Sequence, residues 1–142
     1  MINIAHRGNT NGPSVHENQL WYIEQALDKG FDAEIDVWMI GGKVWSGHNS
    51  AQYLINEDFL YQNINHLWIH CKNFDALDYF AKQGNSFNYF WHQDDDFTMT
   101  SQNFIWTYPG KQVGDWSVIV DLEGKAEYNC YGICSDYLIT KG

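Results

Sequence analysis

Strand and helix patterns alternate through the first two thirds of the chain. Apolar runs finish repeatedly in His, Asp or Lys, and the late connections have room for little more than turns. Together these features predict an α/β fold, a small or incomplete (β/α) barrel with shortened late helices; an open α/β sheet is the second choice. Residues 2–6 (Ile-Asn-Ile-Ala-His) read as a short strand ending at His6. Residues 17–29 set Leu20, Ile23, Ala26 and Leu27 at helical spacing, and Gly30 supplies a stop. A second strand spans 32–38, and Gly41-Gly42 before Lys43-Val44-Trp45 signals a hairpin that delivers His48.

The pattern repeats with a strand at 67–71, a helix over 74–83 stopped by Gly84, and a strand at 88–92. Residues 104–108, 116–121 and 131–134 read as further strands. Their connections only just allow the crossover of about a dozen residues that parallel strands need. Apolar runs close on His6, on Asp36, on His70 with Lys72, on His92, on Trp106 with Tyr108, and on Asp136. In a barrel the strand C-termini gather on one face, where active sites form. Turns are usually built from Gly, Asn, Asp, Ser or Pro, so the His and Lys endings mark a site.

The 142 residues suit one domain, 1–142, with a substantial core. Seven Trp, nine Tyr and eight Phe argue against disorder. A formal charge of −10 argues against nucleic acid or an anionic membrane as a general partner. Cys71, Cys130 and Cys134 make no disulfide framework, and Cys130-x₃-Cys134 lacks a second pair for zinc, so reduced buried thiols are expected. No run approaches the ~20 apolar residues of a membrane span, and no basic leader precedes an apolar stretch. The expectation is a cytoplasmic protein, with apolar barrel flanks exposed by missing helices that favour a homo-oligomer.

The parts of a metal-assisted phosphodiester hydrolysis follow one another along the chain. His6-Arg7-Gly8 closes the first strand, Glu17-Asn18 follows, then Glu34-Ile35-Asp36, and His48 comes after a glycine. Two apart on a strand, Glu34 and Asp36 share a face while Ile35 and Val37 take the other. Both carboxylates then point into a barrel, where burial requires a partner or a cation. Two histidines offer an acid and a base, and the planar fork of Arg7 suits a phosphate. Glu17 reads as a helix-start carboxylate. His70 and Lys72 share a face opposite Ile69 and Cys71, and His70 is either a nitrogen ligand or a hydrogen-bonding neighbour. His92 with Asp94-Asp95-Asp96 either extends the site or forms a solvated turn, the commoner fate of an acidic triplet in a loop; His16 and His66 read as surface, and Trp21, Trp68, Trp91 and Trp116 as core.

This order resembles the glycerophosphodiester phosphodiesterase family, part of the phospholipase C-like phosphodiesterase group. The family pattern runs His-Arg-Gly, Glu-Asn, a helix ending in Gly, Glu-x-Asp and His-Asp. The chain supplies His6-Arg7-Gly8, Glu17-Asn18, Gly30, Glu34-x-Asp36 and His48-Asn49, all within about its first third. Lys72 stands where the family's Glu-x-Lys strand has its Lys, with His70 in place of the Glu. Ser135-Asp136-Tyr137 is similar to the family's terminal Thr-Asp-Tyr.

The resemblance implies a TIM-type barrel, although the chain is roughly 100 residues short of the typical ~250. It implies divalent-metal-dependent hydrolysis of a small glycerol- or polyol-type phosphodiester. His6 and His48 would be the catalytic acid and base, with Arg7 and Lys72 at the phosphate and Trp106 as an aromatic wall beside the substrate. Glu34, Asp36 and His70 would hold the metal, with Glu17 beside them. The cofactor implied is one divalent cation, Mg²⁺ or Ca²⁺ by resemblance, Mn²⁺ or Zn²⁺ if His70 is a ligand. The alternative is a non-catalytic relative that binds a phosphate- or sugar-containing ligand, favoured by His70, Asn49 and the short chain. An unrelated structural metal domain would leave the order of motifs unexplained.

Overall fold

The computed structural model describes residues 1–139. Among these residues the order is β1 (Ile2–His6), α1 (Leu20–Asp28), β2 (Asp32–Ile40), β3 (Lys43–Ser46), β4 (Tyr53–Leu54), α2 (Glu57–Gln62), β5 (Leu67–Cys71), α3 (Phe74–Ala81), β6 (Asn88–Phe90), β7 (Phe97–Met99), β8 (Ile105–Thr107), β9 (Ser117–Val120) and β10 (Gly132–Ser135). All ten strands join one curled sheet. Parallel pairing runs β6-β5-β2-β1-β10-β9-β8, and β7 ends the row as an antiparallel partner of β8.

The sheet branches at β2, which is long enough to serve three neighbours. Its first residues pair with β1 and its centre with β5. Its last residues turn back through Gly41-Gly42 onto β3. Both glycines have positive φ, 61° and 73°, the backbone that a two-residue hairpin turn matched to strand twist requires.

Alternation along the strands gives the sheet two apolar faces. Ala5, Ala33, Ile35, Val37, Leu67 and Ile69 form one, packed with Ile23 and Ala26 of α1, Leu60 of α2 and Phe80 of α3. Ile4, Trp68, Phe90, Trp106, Val118, Val120 and Cys134 form a second, smaller cluster on the concave face. Asn73 caps α3 by accepting from the Ala76 N–H, and Asn56 caps α2 through the Asp58 N–H.

The predicted TIM-type (β/α) barrel does not form. The protein is a sheet-dominated, curled half-barrel, and among the described residues no helix follows α3. The reason lies in the connections 91–104, 108–116 and 121–131. They carry Asp94-Asp95-Asp96, Pro109-Gly110, Gly114 and Gly124 rather than an amphipathic period, so no helical layer covers the late strands. β7 was not expected, and it adds to β8 as an antiparallel edge strand. Among the described residues the edge of β6 meets no further strand: the Tyr89 N–H donates to Ser101 Oγ, and the Tyr89 carbonyl accepts from the Ser101 N–H.

Three of the four tryptophans read as core are corrected too. Trp68 is buried, but Trp21, Trp91 and Trp116 are exposed, because the helices and loops that carry them turn them outward. No helix among the described residues is long and apolar enough to cross a membrane. Ile35 lies at the centre of the helix-covered face with no exposed surface. Ile35→Ala should therefore lower unfolding free energy by about 2–5 kcal/mol in urea titrations. A loss under about 1 kcal/mol would contradict this packing.

Candidate metal and catalytic site

One cleft of about 440 Å³ opens where the parallel strands end. Strand register assembles it. His6 is the direct partner of Glu34 in the β1–β2 ladder, and Asp36 is the partner of His70 in the β2–β5 ladder. Residues opposite one another in adjacent strands project from the same face. These four side chains therefore stand together above the concave apolar cluster. Lys72 follows β5 directly, Trp106 and Tyr108 come from the end of β8, and His48 arrives on the loop after β3. Gly47 makes that approach feasible: its φ is 149°, and a Cβ there would overlap the Ser50 carbonyl oxygen.

Glu34, Asp36 and His70 offer ligand atoms that all lie within 4.8 Å of one another. Both carboxylates are almost wholly buried. Burial and the neighbouring Asp36 charge push the Glu34 carboxyl well above the usual range. Burial would raise Asp36 as well, but the close approach of His48 and His70 and the positive charges around it hold it well below. Like charges this close do not both ionise without a compensating cation.

The atoms left over fit such a cation. His70 Nε2 donates to the His92 carbonyl at 3.2 Å, so in the neutral ring Nδ1 carries the lone pair. That nitrogen faces Asp36 Oδ1 at 3.2 Å and Glu34 Oε2 at 3.9 Å. Among the described residues, Asp36 Oδ1 accepts no hydrogen bond from it or from any other group. A lone pair aimed at a carboxylate oxygen is repulsive unless a cation lies between them or Nδ1 carries a second proton. A separation near 3 Å is what two ligands of one ion adopt at bonds of roughly 2.1 Å.

Asp36 Oδ2 is held from the other side. It accepts from Asn18 Nδ2 at 3.0 Å, while the Asp36 N–H donates to Asn18 Oδ1. Arg7 Nε lies 3.2 Å from Oδ2 without hydrogen-bond alignment. The Arg7 N–H donates to Glu34 Oε1 at 3.2 Å. Glu17 accepts from Arg7 Nη1 at 3.2 Å, from Asn9 Nδ2 at 3.0 Å and from the Ser14 N–H. It thus fixes the guanidinium and touches none of the candidate ligands. Arg7 and Asn18 both adopt positive φ, 56° and 68°, a strain retained at the site itself.

The two histidines read as catalytic differ in setting. His6 Nδ1 bonds Asp136 Oδ1 at 2.8 Å, which leaves Nε2 for the cleft. His48 Nε2 accepts from Arg7 Nη2 at 3.2 Å, and its Nδ1 faces Asp36 Oδ2 at 3.5 Å. Lys72 makes no ion pair among the described residues. His92, read from sequence as part of a solvated turn, instead stacks on Tyr108 with ring centroids 3.6 Å apart, and its carbonyl orients His70. Burial and the Glu34 charge push the Tyr108 phenol up, so it stays neutral. Asn9 was also missed. It joins Glu17 to Asp136 and is itself held by the Tyr22 hydroxyl, contacts that no local pattern signals.

Burial acts to raise the Asp136 carboxyl, but the hydrogen bonds from His6 and Asn9 outweigh it and set its pKa below the usual value. A depressed carboxyl stabilises the fold above its unfolded pKa of about 3.9, and that contribution disappears as pH falls through the folded value. Asp136→Asn should therefore lower stability at pH 6, with the gap to the native protein closing below about pH 4. Urea titrations across that range check it, and a gap independent of pH would refute it. No family model matches the chain, and no similar curated protein or solved structure was found, so the family reading rests on its motif residues alone.

Proposed function

We propose that the protein is a divalent-metal-dependent phosphodiesterase acting on a small glycerol- or polyol-type phosphodiester. The observation that carries this reading is a convergence in one cleft. The Glu34–Asp36–His70 cluster, with its unpartnered buried oxygen, stands beside an Asp-supported histidine and two cationic side chains. A phosphodiester is an anion, and in a chain of charge −10 its binding requires concentrated positive charge. Arg7 and Lys72 supply it, with a cation held by Glu34, Asp36 and His70. That cation, when bound, lowers the pKa of a coordinated hydroxyl and offsets phosphoryl charge in the transition state.

The chain's own groups handle the protons. His6, with Nδ1 donating to Asp136, presents Nε2 to take a proton from the attacking hydroxyl, and Asp136 supports the imidazolium that forms. His48 acts on the leaving side: its Nε2, once free of Arg7, takes up a proton from water and donates it to the departing alkoxide oxygen. That step requires Arg7 to turn its Nη2 from His48 towards the phosphate, where its planar fork gains a stronger, charge-assisted partner. Trp106 and Tyr108 wall the cleft and limit access of water.

A second reading, a non-catalytic binder of a phosphate- or sugar-containing ligand, is favoured by the Arg7 contact that occupies His48 Nε2. Incubation with bis-p-nitrophenyl phosphate and a panel of divalent ions separates the two. The proposal requires hydrolysis that EDTA abolishes, whereas ligand binding without turnover supports the second reading. Glu34→Ala and Asp36→Ala should each remove stoichiometric divalent-ion binding in calorimetry, and unchanged affinity in both would sink the metal assignment. His6→Ala and His48→Ala should each lower kcat by roughly 10²–10⁴-fold with little change in ligand affinity. A loss below about tenfold would reject that residue's role.

A further inference from the structure

We propose that this site takes a first-row transition dication of the Zn²⁺ or Co²⁺ kind in preference to Mg²⁺ or Ca²⁺, through His70 Nδ1. The inference rests on the metal-dependent reading above and adds the identity of the ion and the atom that selects it. Glu34 and Asp36 alone would form a hard, all-oxygen site suited to Mg²⁺ or Ca²⁺. A neutral imidazole moves the preference towards borderline cations, because its nitrogen is a poor ligand for Mg²⁺ and Ca²⁺ and a good one for zinc, cobalt or nickel.

The structure holds that ring as a ligand rather than as a mobile neighbour. Nε2 is fixed by donation to the His92 carbonyl, which leaves Nδ1 as the coordinating atom. A second hydrogen-bonded group that sets the tautomer of a ligating histidine typically matters about 10–100-fold in metal affinity. The plane of the ring is fixed as well. His70 stacks on Phe90 with centroids 4.9 Å apart and planes 16° from parallel. Phe90 stacks in turn on Trp106, at 4.6 Å and 27°.

The segment that supplies the carbonyl is anchored too, because the His92 ring lies against Tyr108 and its Nε2 meets the Asp95 carbonyl. These contacts oppose rotation of Nδ1 away from Asp36. The unpartnered Asp36 Oδ1, inside a residue almost wholly buried, is the complementary observation on the oxygen side.

The test uses the metal ions alone, with no turnover required. Calorimetric titration of the metal-free protein should give affinities in the order Zn²⁺ and Co²⁺ above Mn²⁺, with Mg²⁺ and Ca²⁺ weakest. His70→Glu should reduce the ratio of Zn²⁺ to Ca²⁺ affinity by at least about tenfold. The Co²⁺-loaded native protein gives a direct readout that no variant can spoil by misfolding. Its ¹⁵N-edited proton spectrum should show one exchangeable imidazole N–H shifted far outside the diamagnetic range, from His70 Nε2. That resonance should disappear in His70→Gln.

Co²⁺ binding without any such resonance would overturn the assignment of His70 as a ligand, as would an unchanged Zn²⁺ to Ca²⁺ ratio in His70→Glu. Tighter binding of Ca²⁺ or Mg²⁺ by the native protein would overturn the selectivity while leaving the metal-dependent reading intact. Failure of every ion to bind would overturn both.

Discussion

Two carboxylates buried side by side on β2 are the constraint around which this protein is organised. Burying one such group is unfavourable unless it is paired, and burying two adds their mutual repulsion. The chain meets this with specific neighbours rather than with solvent. Asn18 clasps Asp36 through both its backbone and its side chain, Arg7 donates its backbone N–H to Glu34, and His70 and His48 approach Asp36 from two further directions. Even so, one Asp36 oxygen remains unpartnered. A fold selected for stability alone would satisfy that atom or replace it by an apolar group. The orphaned buried oxygen departs from that expectation, and so does the positive φ of Arg7 and Asn18 beside it.

The same constraint ties the two ends of the chain together. β1 lies between β2 and β10, so His6 reaches both the Glu34 side of the cleft and Asp136, 130 residues away in sequence. Asn9 repeats the link one turn further out, donating to both Glu17 and Asp136. The parallel β1–β10 ladder therefore positions His6 against its carboxylate as well as closing one side of the sheet. Loss of that ladder would separate His6 from its carboxylate before it disturbed Glu34 and Asp36, which depend on β1, β2 and β5.

How much of this was legible from sequence follows the range of the interactions. The parity of Glu34-Ile35-Asp36-Val37 is a local property of a strand, and it predicted which side chains share a face. The Gly41-Gly42 hairpin and the strand ending at His6 were readable for the same reason. What local patterns do not carry is closure. Nothing in residues 88–107 says that β6 will finish against Ser101, or that Phe97–Met99 will form an antiparallel strand in place of a crossover. Trp21, Trp91 and Trp116 misled because aromatic character was taken for burial, whereas their exposure is set by tertiary position. The short helix α2 was absent from the reading because Glu57–Gln62 spans too few residues to show a period. The His92–Tyr108 stack joins two loops whose residues resemble ordinary turn chemistry when taken singly.

The curled half-barrel also explains how so short a chain can hold such a cleft. Glu34, Asp36, His70, His6 and Asp136 all come from β1, β2, β5 and the end of β10, the contiguous part of the sheet. The late strands contribute Trp106 and Tyr108, an aromatic wall that needs bulk and shape more than exact placement. Polar groups that must hold a cation or pass a proton tolerate displacements of well under an ångström, while a wall tolerates more. Shortening the sheet on the wall side, where β7 and β8 have three residues each and no helix among the described residues follows α3, therefore leaves the register of the polar cluster intact. The apolar surface left by the missing layer, Phe97, Met99 and Trp116, lies on that tolerant side. The half-barrel is thus reduced where position matters least and kept complete where register brings charged and proton-bearing groups together.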